Sequence, residues 1–167
     1  MTGHDTGGRL LQHMKEAVAY STQHVHAGGI PFTAFVVDAE GTILGRGVNR
    51  VREQRDPTAH AEVEAIRDAC RTVGTADLRG LTLLASGEPC AMCYLGALYA
   101  GIGQVYFAVD RNEAAVHGFD YRASYSLFAR DPLEWRRPAA RKLPVPGSMQ
   151  PFLAFRSKIR KVQSEDY

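Results

Sequence analysis

Apolar residues recur at helical spacing near the start of the chain, where Leu10, Leu11, Met14, Val18 and Val25 precede the pair Gly28-Gly29. The spacing marks an amphipathic helix, and the glycines supply a stop because glycine tolerates the left-handed conformation at a helix C-terminus. The period then changes. Phe32 to Ala39 is β-branched and aromatic, Glu40-Gly41 is a turn signal, and Thr42 to Val48 resumes the run, so an antiparallel hairpin is expected. Arg50 to Asp56 reads as a polar loop. Asp56-Pro57-Thr58 offers capping side chains and a proline suited to a first turn. Val63, Ile66, Ala69, Cys70 and Val73 then mark the buried stripe of a second helix.

Leu81 to Ala85 is a short continuous apolar run, as expected for a strand covered on both faces. Pro89 opens a third helix, Gly101 closes it, and Gln104 to Val109 reads as the next strand. Short helical pieces are expected between Asn112 and Arg130, and residues 131–150 are proline-rich. Phe152, Phe155, Ile159 and Val162 recur at spacings of three and four, which predicts a C-terminal helix whose outer face carries Arg156, Lys158, Arg160 and Lys161. Strands joined through helices need a covered mixed sheet. The expected fold class is therefore α/β, a three-layer α/β/α sandwich with a mixed central sheet.

The 167 residues, 45% hydrophobic and 23% charged, fit one globular domain spanning 1–167 with no fixed-period repeat. At that size a core forms without covalent staples, so the three cysteines call for another role. No apolar run approaches the roughly 20 residues that cross a bilayer, and the N-terminus lacks a signal-peptide pattern. A cytoplasmic protein with no membrane contact is expected, and in that reducing setting cysteines point to metal binding or catalysis before disulfides. A net charge of +2 is too small to argue for a nucleic-acid partner.

Two segments carry chemistry: His60-Ala61-Glu62 and Pro89-Cys90-Ala91-Met92-Cys93, each at the first turn of an expected helix. Cysteines three apart share a helix face and can share one ion, and the positive helix end favours their thiolate forms. With His60 they make three protein ligands. Structural zinc sites are closed by four, whereas three leave a position for water, whose pKa zinc lowers to about 7. Glu62, two residues from His60, straddles the helix tip and can carry protons without being a ligand. A Cys-x-x-Cys alone would equally fit a redox pair or a zinc knuckle. Combined with His-x-Glu it matches the signature of zinc-dependent nucleobase deaminases. Cys70, on the apolar stripe, reads as a core thiol, and His4, His13, His24, His26 and His117 as surface or packing residues.

At these residues the chain resembles the cytidine and deoxycytidylate deaminase superfamily, and within it the bacterial guanine deaminase-like branch. The likeness extends over Asp56 to Val63, Glu88 to Cys93, Gly96 to Tyr99, Ala114 to Asp120 and the C-terminal segment ending in Tyr167. The resemblance implies a hydrolytic deaminase with one Zn2+ per subunit, acting on a small heterocyclic base. Phe32 would stack on that base, Asn49 would hydrogen-bond to it, and the backbone at Ala61 and at Ser86, Gly87 and Glu88 would line the pocket. It also implies a homodimer in which residues 150–167 are exchanged, so that Tyr167 closes the partner's site. One position departs from the branch: guanine deaminases tend to carry an acidic residue just after Gly-Phe-Asp, and here that place is Tyr121, with Asp120 as the alternative contact. Guanine, an aminotriazine, a cytosine-like base and a nucleoside stay open as substrates. A tRNA adenosine deaminase and a non-catalytic zinc-stabilised module are the competing readings.

Overall fold

The computed structural model describes residues 6–156. Helix α1 (Thr6–His26) leads into a hairpin of β1 (Thr33–Val37) and β2 (Ile43–Val48). A single turn, α2 (Val51–Gln54), precedes α3 (Ala61–Val73). Then follow β3 (Thr82–Gly87), α4 (Ala91–Tyr99), β4 (Gln104–Val109) and α5 (Arg111–Val116), with a 3-10 segment at Arg122–Ala129. The sheet order is β2-β1-β3-β4. β1 pairs antiparallel with β2 and β3, and β3 pairs parallel with β4, so the sheet is mixed.

Alternation along the strands separates two apolar layers, because successive side chains point to opposite faces. Phe35, Val37 and Leu84 pack with Ala17, Leu10 and Met14 of α1 on one face. Ala34, Val36, Leu83 and Ala85 pack with Ala61, Ala65 and Ala69 of α3 and Ala97 of α4 on the other. Helices thus cover both faces, as the sequence predicts.

Within that frame three expectations shift. In α1 the buried stripe runs Leu10, Met14, Ala17 and Ser21, while Leu11, Val18 and Val25 lie on the exposed side. The loop expected over Arg50 to Asp56 contains the α2 turn, which ends with Arg55 in the left-handed conformation. The start of α3 also lies later than the capping residues imply. Asp56 Oδ1 accepts from the Thr58 N–H at 2.8 Å and the Thr58 hydroxyl at 2.7 Å, closing a turn ahead of the helix, and His60 takes the N-cap place.

The face of α3 that meets the sheet is made of alanines, and two glycines explain it. A Cβ on Gly47 would sit 2.0 Å from the Ala61 carbonyl oxygen, and one on Gly45 would sit 2.3 Å from that of Ala65. The expected larger stripe residues Val63, Ile66 and Cys70 are half-buried flanks, and Val73 is exposed. Such close packing fixes where α3 begins relative to the sheet end. Gly47→Ala is expected to lower stability by about 3 kcal/mol, at the upper range for overpacking, because the obstacle is backbone. Urea denaturation checks this, and an unchanged midpoint contradicts it.

The sheet register gathers one end of every strand. Ala34 pairs with Ala85, Thr33 with Val48, and Gly87 with Val109, so Phe32, Asn49, the Gly87-to-Cys90 turn and Asp110 all emerge at one edge. α3 and α4 begin at that same edge.

Residues Met1–Ala129 form one compact unit and Arg130–Tyr167 a second. In the second, Asp131 caps a 3-10 turn at Pro132–Glu134 by accepting from the Leu133 N–H at 2.9 Å. The expected C-terminal helix is present over 150–156. Ile159, Val162 and Tyr167 lie outside the described residues.

Candidate active site

Two helix starts converge at the sheet end. His60 is the N-cap residue of α3 and Cys90 that of α4, both with extended backbone, and Cys93 lies in the first turn of α4. Pro89 precedes the cap rather than opening the helix. His60 Nδ1 lies 3.5 Å from the Cys90 sulfur and 3.5 Å from the Cys93 sulfur, and the two sulfurs are 3.6 Å apart. Zinc with bonds of about 2.3 Å to sulfur and about 2.0 Å to nitrogen, at tetrahedral angles, needs edges of about 3.8 and 3.5 Å. The triangle fits one face of that tetrahedron. Among the described residues this is the group of donors close enough to hold an ion, and it contains three ligands rather than four.

The electrostatics place the thiolate on Cys90. Contact with Cys93, then with His60, holds the Cys90 thiol down at about 4, in the thiolate range. The same contact with Cys90, together with burial, pushes Cys93 upward. The hydrogen bond with Cys90 raises His60, against the opposing effect of burial. Glu62 is 4% exposed, and its Oε2 lies 3.4 Å from the Cys93 sulfur. Burial pushes its carboxyl above the usual range. A carboxyl shifted toward neutrality is suited to both taking and giving a proton.

Above this group lies a cavity of about 320 Å³ lined by Phe32, Asn49, His60, Ala61, Glu62, Glu88, Cys90, Asp120 and Tyr121, together with Ile30, Gly118 and Phe119. Nine of the residues picked out in the sequence are thus brought together around one cavity. Gly87 serves it from below. A Cβ there would stand 2.7 Å from the Phe32 ring, so glycine lets the ring lie on the strand backbone. Phe119 meets Phe32 edge-on at 5.2 Å. Ser86 is not among the lining residues: its hydroxyl accepts from the Thr33 N–H at 3.0 Å and donates to the Pro31 carbonyl at 3.3 Å, which fixes the start of β1. His24, expected to be a packing residue, lies 3.2 Å from the Asn49 carbonyl and steadies that loop.

Sequence reasoning missed the support beneath the cavity. The Glu88 carboxylate is held by Arg111 through its backbone N–H at 2.8 Å and its Nε at 3.0 Å. That pairing lowers the Glu88 carboxyl. Arg111 lies 3.5 Å over the Tyr125 ring, and Tyr125 donates to the Pro89 carbonyl at 2.5 Å. Tyr121 donates to the Glu88 carbonyl at 2.7 Å. The turn that delivers Cys90 is therefore pinned from three sides. Arg111 gave a weak signal at most, since it stands beside an ordinary capping box, Asp110 to Glu113.

Residues 9–109 match the model of the cytidine and deoxycytidylate deaminase zinc-binding region. The chain belongs to that deaminase family. It is 39% identical over 150 residues to the guanine deaminase of Bacillus subtilis, covering 89% of this chain and 94% of that one. The X-ray structure of that protein matches with a TM-score of 0.78 at 36% identity, over 86% of this chain and 91% of the other. A guanine deaminase from Nitrosomonas europaea matches with a TM-score of 0.62 at 29% identity, over 65% and 63%. A tRNA-specific adenosine deaminase from Aquifex aeolicus is 38% identical over 104 residues, 62% of this chain and 68% of that one. As a member of this zinc-binding deaminase family the chain is an aminohydrolase, and His60, Cys90 and Cys93 are the donors its structure offers to the metal. Among the described residues no helix is long and apolar enough to cross a membrane.

Proposed function

We propose that this deaminase removes the amino group of guanine or a closely related heterocyclic base, with one zinc ion per subunit held by His60, Cys90 and Cys93. The observation that carries the reading is the placement of Glu62, buried at the base of a cavity of heterocycle size and beside a three-ligand group. Zinc bound there would supply a water nucleophile at neutral pH and stabilise negative charge as it develops. Glu62 accepts a proton from the attacking water and delivers it to the ring nitrogen next to the amino-bearing carbon. It then takes the remaining proton from the hydroxyl now on that carbon and passes it to the leaving amine, the carbon–nitrogen bond breaks, and ammonia departs from the new carbonyl. Phe32, seated on Gly87 and braced by Phe119, provides a flat apolar wall for the ring. Asn49 accepts the Val51 N–H at 3.3 Å through Oδ1, which orients its amide nitrogen as the donor to a ring acceptor. The free thiols suit a cytoplasmic setting.

A relative matched over nearly its whole length is the guanine deaminase of Bacillus subtilis, which supports guanine ahead of the alternatives. An ammonia-release screen over guanine, guanosine, cytosine, cytidine, adenine, adenosine and aminotriazines tests this. Guanine is expected to lead, and a nucleoside or cytosine leading would replace the reading.

The chain is proposed to act as a homodimer that exchanges residues 150–167, with Tyr167 closing the neighbouring site. Exposed apolar side chains on α4 and β4, among them Leu98 at 67%, Tyr99 at 85% and Tyr106 at 44%, support a partner on this side of the molecule. Deleting 150–167 is expected to remove both activity and dimer, as read by light scattering and ammonia release. A truncated protein that keeps both overturns this part.

A further inference from the structure

The substrate is expected to present an N–H donor as well as an acceptor, and the polar side chains around the cavity differ in whether they have an acceptor left to meet it. Both oxygens of Asp120 are taken up by Arg122, at 2.8 and 2.7 Å, and the pair stands at the surface. The Glu88 carboxylate is turned to Arg111 and the Tyr94 hydroxyl. Asn49 Oδ1 accepts the Val51 N–H. Glu62 is engaged in the chemistry. Tyr121 differs from these in that its oxygen donates without accepting among the described residues, and its hydrogen bond settles its character: a carbonyl only accepts, so the phenol proton must lie on the bond to Glu88. The oxygen lone pairs are left over, and among the described residues they accept no hydrogen bond. The ring stands 76° to Phe32 at 6.2 Å, so the phenol borders the wall against which a base would stack.

We propose that Tyr121 is a specificity-determining residue that accepts one N–H of the bound heterocycle as a neutral, single acceptor, its own proton being held by the Glu88 carbonyl. The inference rests on the cavity being the base-binding site. Burial raises the phenol above its ordinary range, so it stays uncharged and presents no anion to the base. A substrate with an N–H on that edge gains one neutral hydrogen bond, and a base offering only acceptors there meets a repelling oxygen lone pair.

Steady-state kinetics with guanine test this on three variants alongside wild type, with zinc content and melting temperature as controls. Tyr121→Phe removes the acceptor and is expected to raise KM about tenfold, the equivalent of one hydrogen bond, while Arg111 and Tyr125 still hold the Glu88-to-Cys90 turn and keep kcat within a few-fold of wild type. Tyr121→Asp and Tyr121→Asn restore an acceptor. Asp cannot donate to the Glu88 carbonyl at neutral pH. Either is expected to bring KM back toward wild type. If the phenol merely pins the Glu88 turn, Phe and Asp lose activity together and kcat falls, which overturns the proposal. An unchanged KM in Tyr121→Phe, or no recovery in either acceptor variant, overturns it as well. If wild type itself releases no ammonia from guanine, the failure lies in the reading of the substrate and takes this inference with it.

Discussion

Glu62→Gln is expected to retain zinc at the wild-type level and to lower kcat by about 10²- to 10⁴-fold, the range for a positioned general acid–base group. The side chain is 4% exposed, and glutamine keeps its shape, so the packing of α3 against β2 should survive. The proton-carrying function does not, because an amide neither accepts a proton at neutral pH nor returns one to a leaving amine. Metal analysis and ammonia release from the same preparation separate the two effects. A variant that deaminates as fast as wild type removes Glu62 from the mechanism, while one that has lost its zinc reassigns it as a ligand or ligand support.

Cys93→Ala is expected to abolish both stable zinc binding and activity. Changes to groups that merely support a ligand cost 10- to 100-fold in metal affinity, so loss of a direct ligand should exceed that. Cys93 is fully buried in the first turn of α4, and no other cysteine can replace it, since Cys70 packs on the core cluster in the last turn of α3. Elemental analysis after dialysis against a chelator is the check. Full zinc in this variant contradicts the three-ligand assignment, as would full zinc in a His60→Ala protein.

The residues of the candidate metal group were legible in the sequence because their chemistry depends on spacing within one turn: a histidine beside an acid, and two cysteines three apart. The element order was legible for the same local reason. What escaped depends on contacts across the chain. The alanine face of α3 looks featureless until Gly45 and Gly47 bring β2 up against it, and the spacing of the larger apolar residues points to a different stripe. In α1, Val18 and Val25 share the helical period but lie on the flank of the buried stripe, 41% and 43% exposed, and periodicity alone does not say where the stripe is centred. Arg111 lies 23 residues from Glu88 in sequence and beneath it in space. Tyr121 was singled out as a departure from its relatives. Its hydrogen-bonding character emerged only from the carbonyl it meets.

The products of one reaction decide the assignment most directly. Purified wild-type protein carrying one zinc per chain is incubated with guanine, and ammonia is measured together with the oxo-purine that replaces it. Equimolar release of both, lost with Glu62→Gln, is the predicted result. Zinc-loaded protein that releases no ammonia from guanine or from any other base in the screen would contradict it.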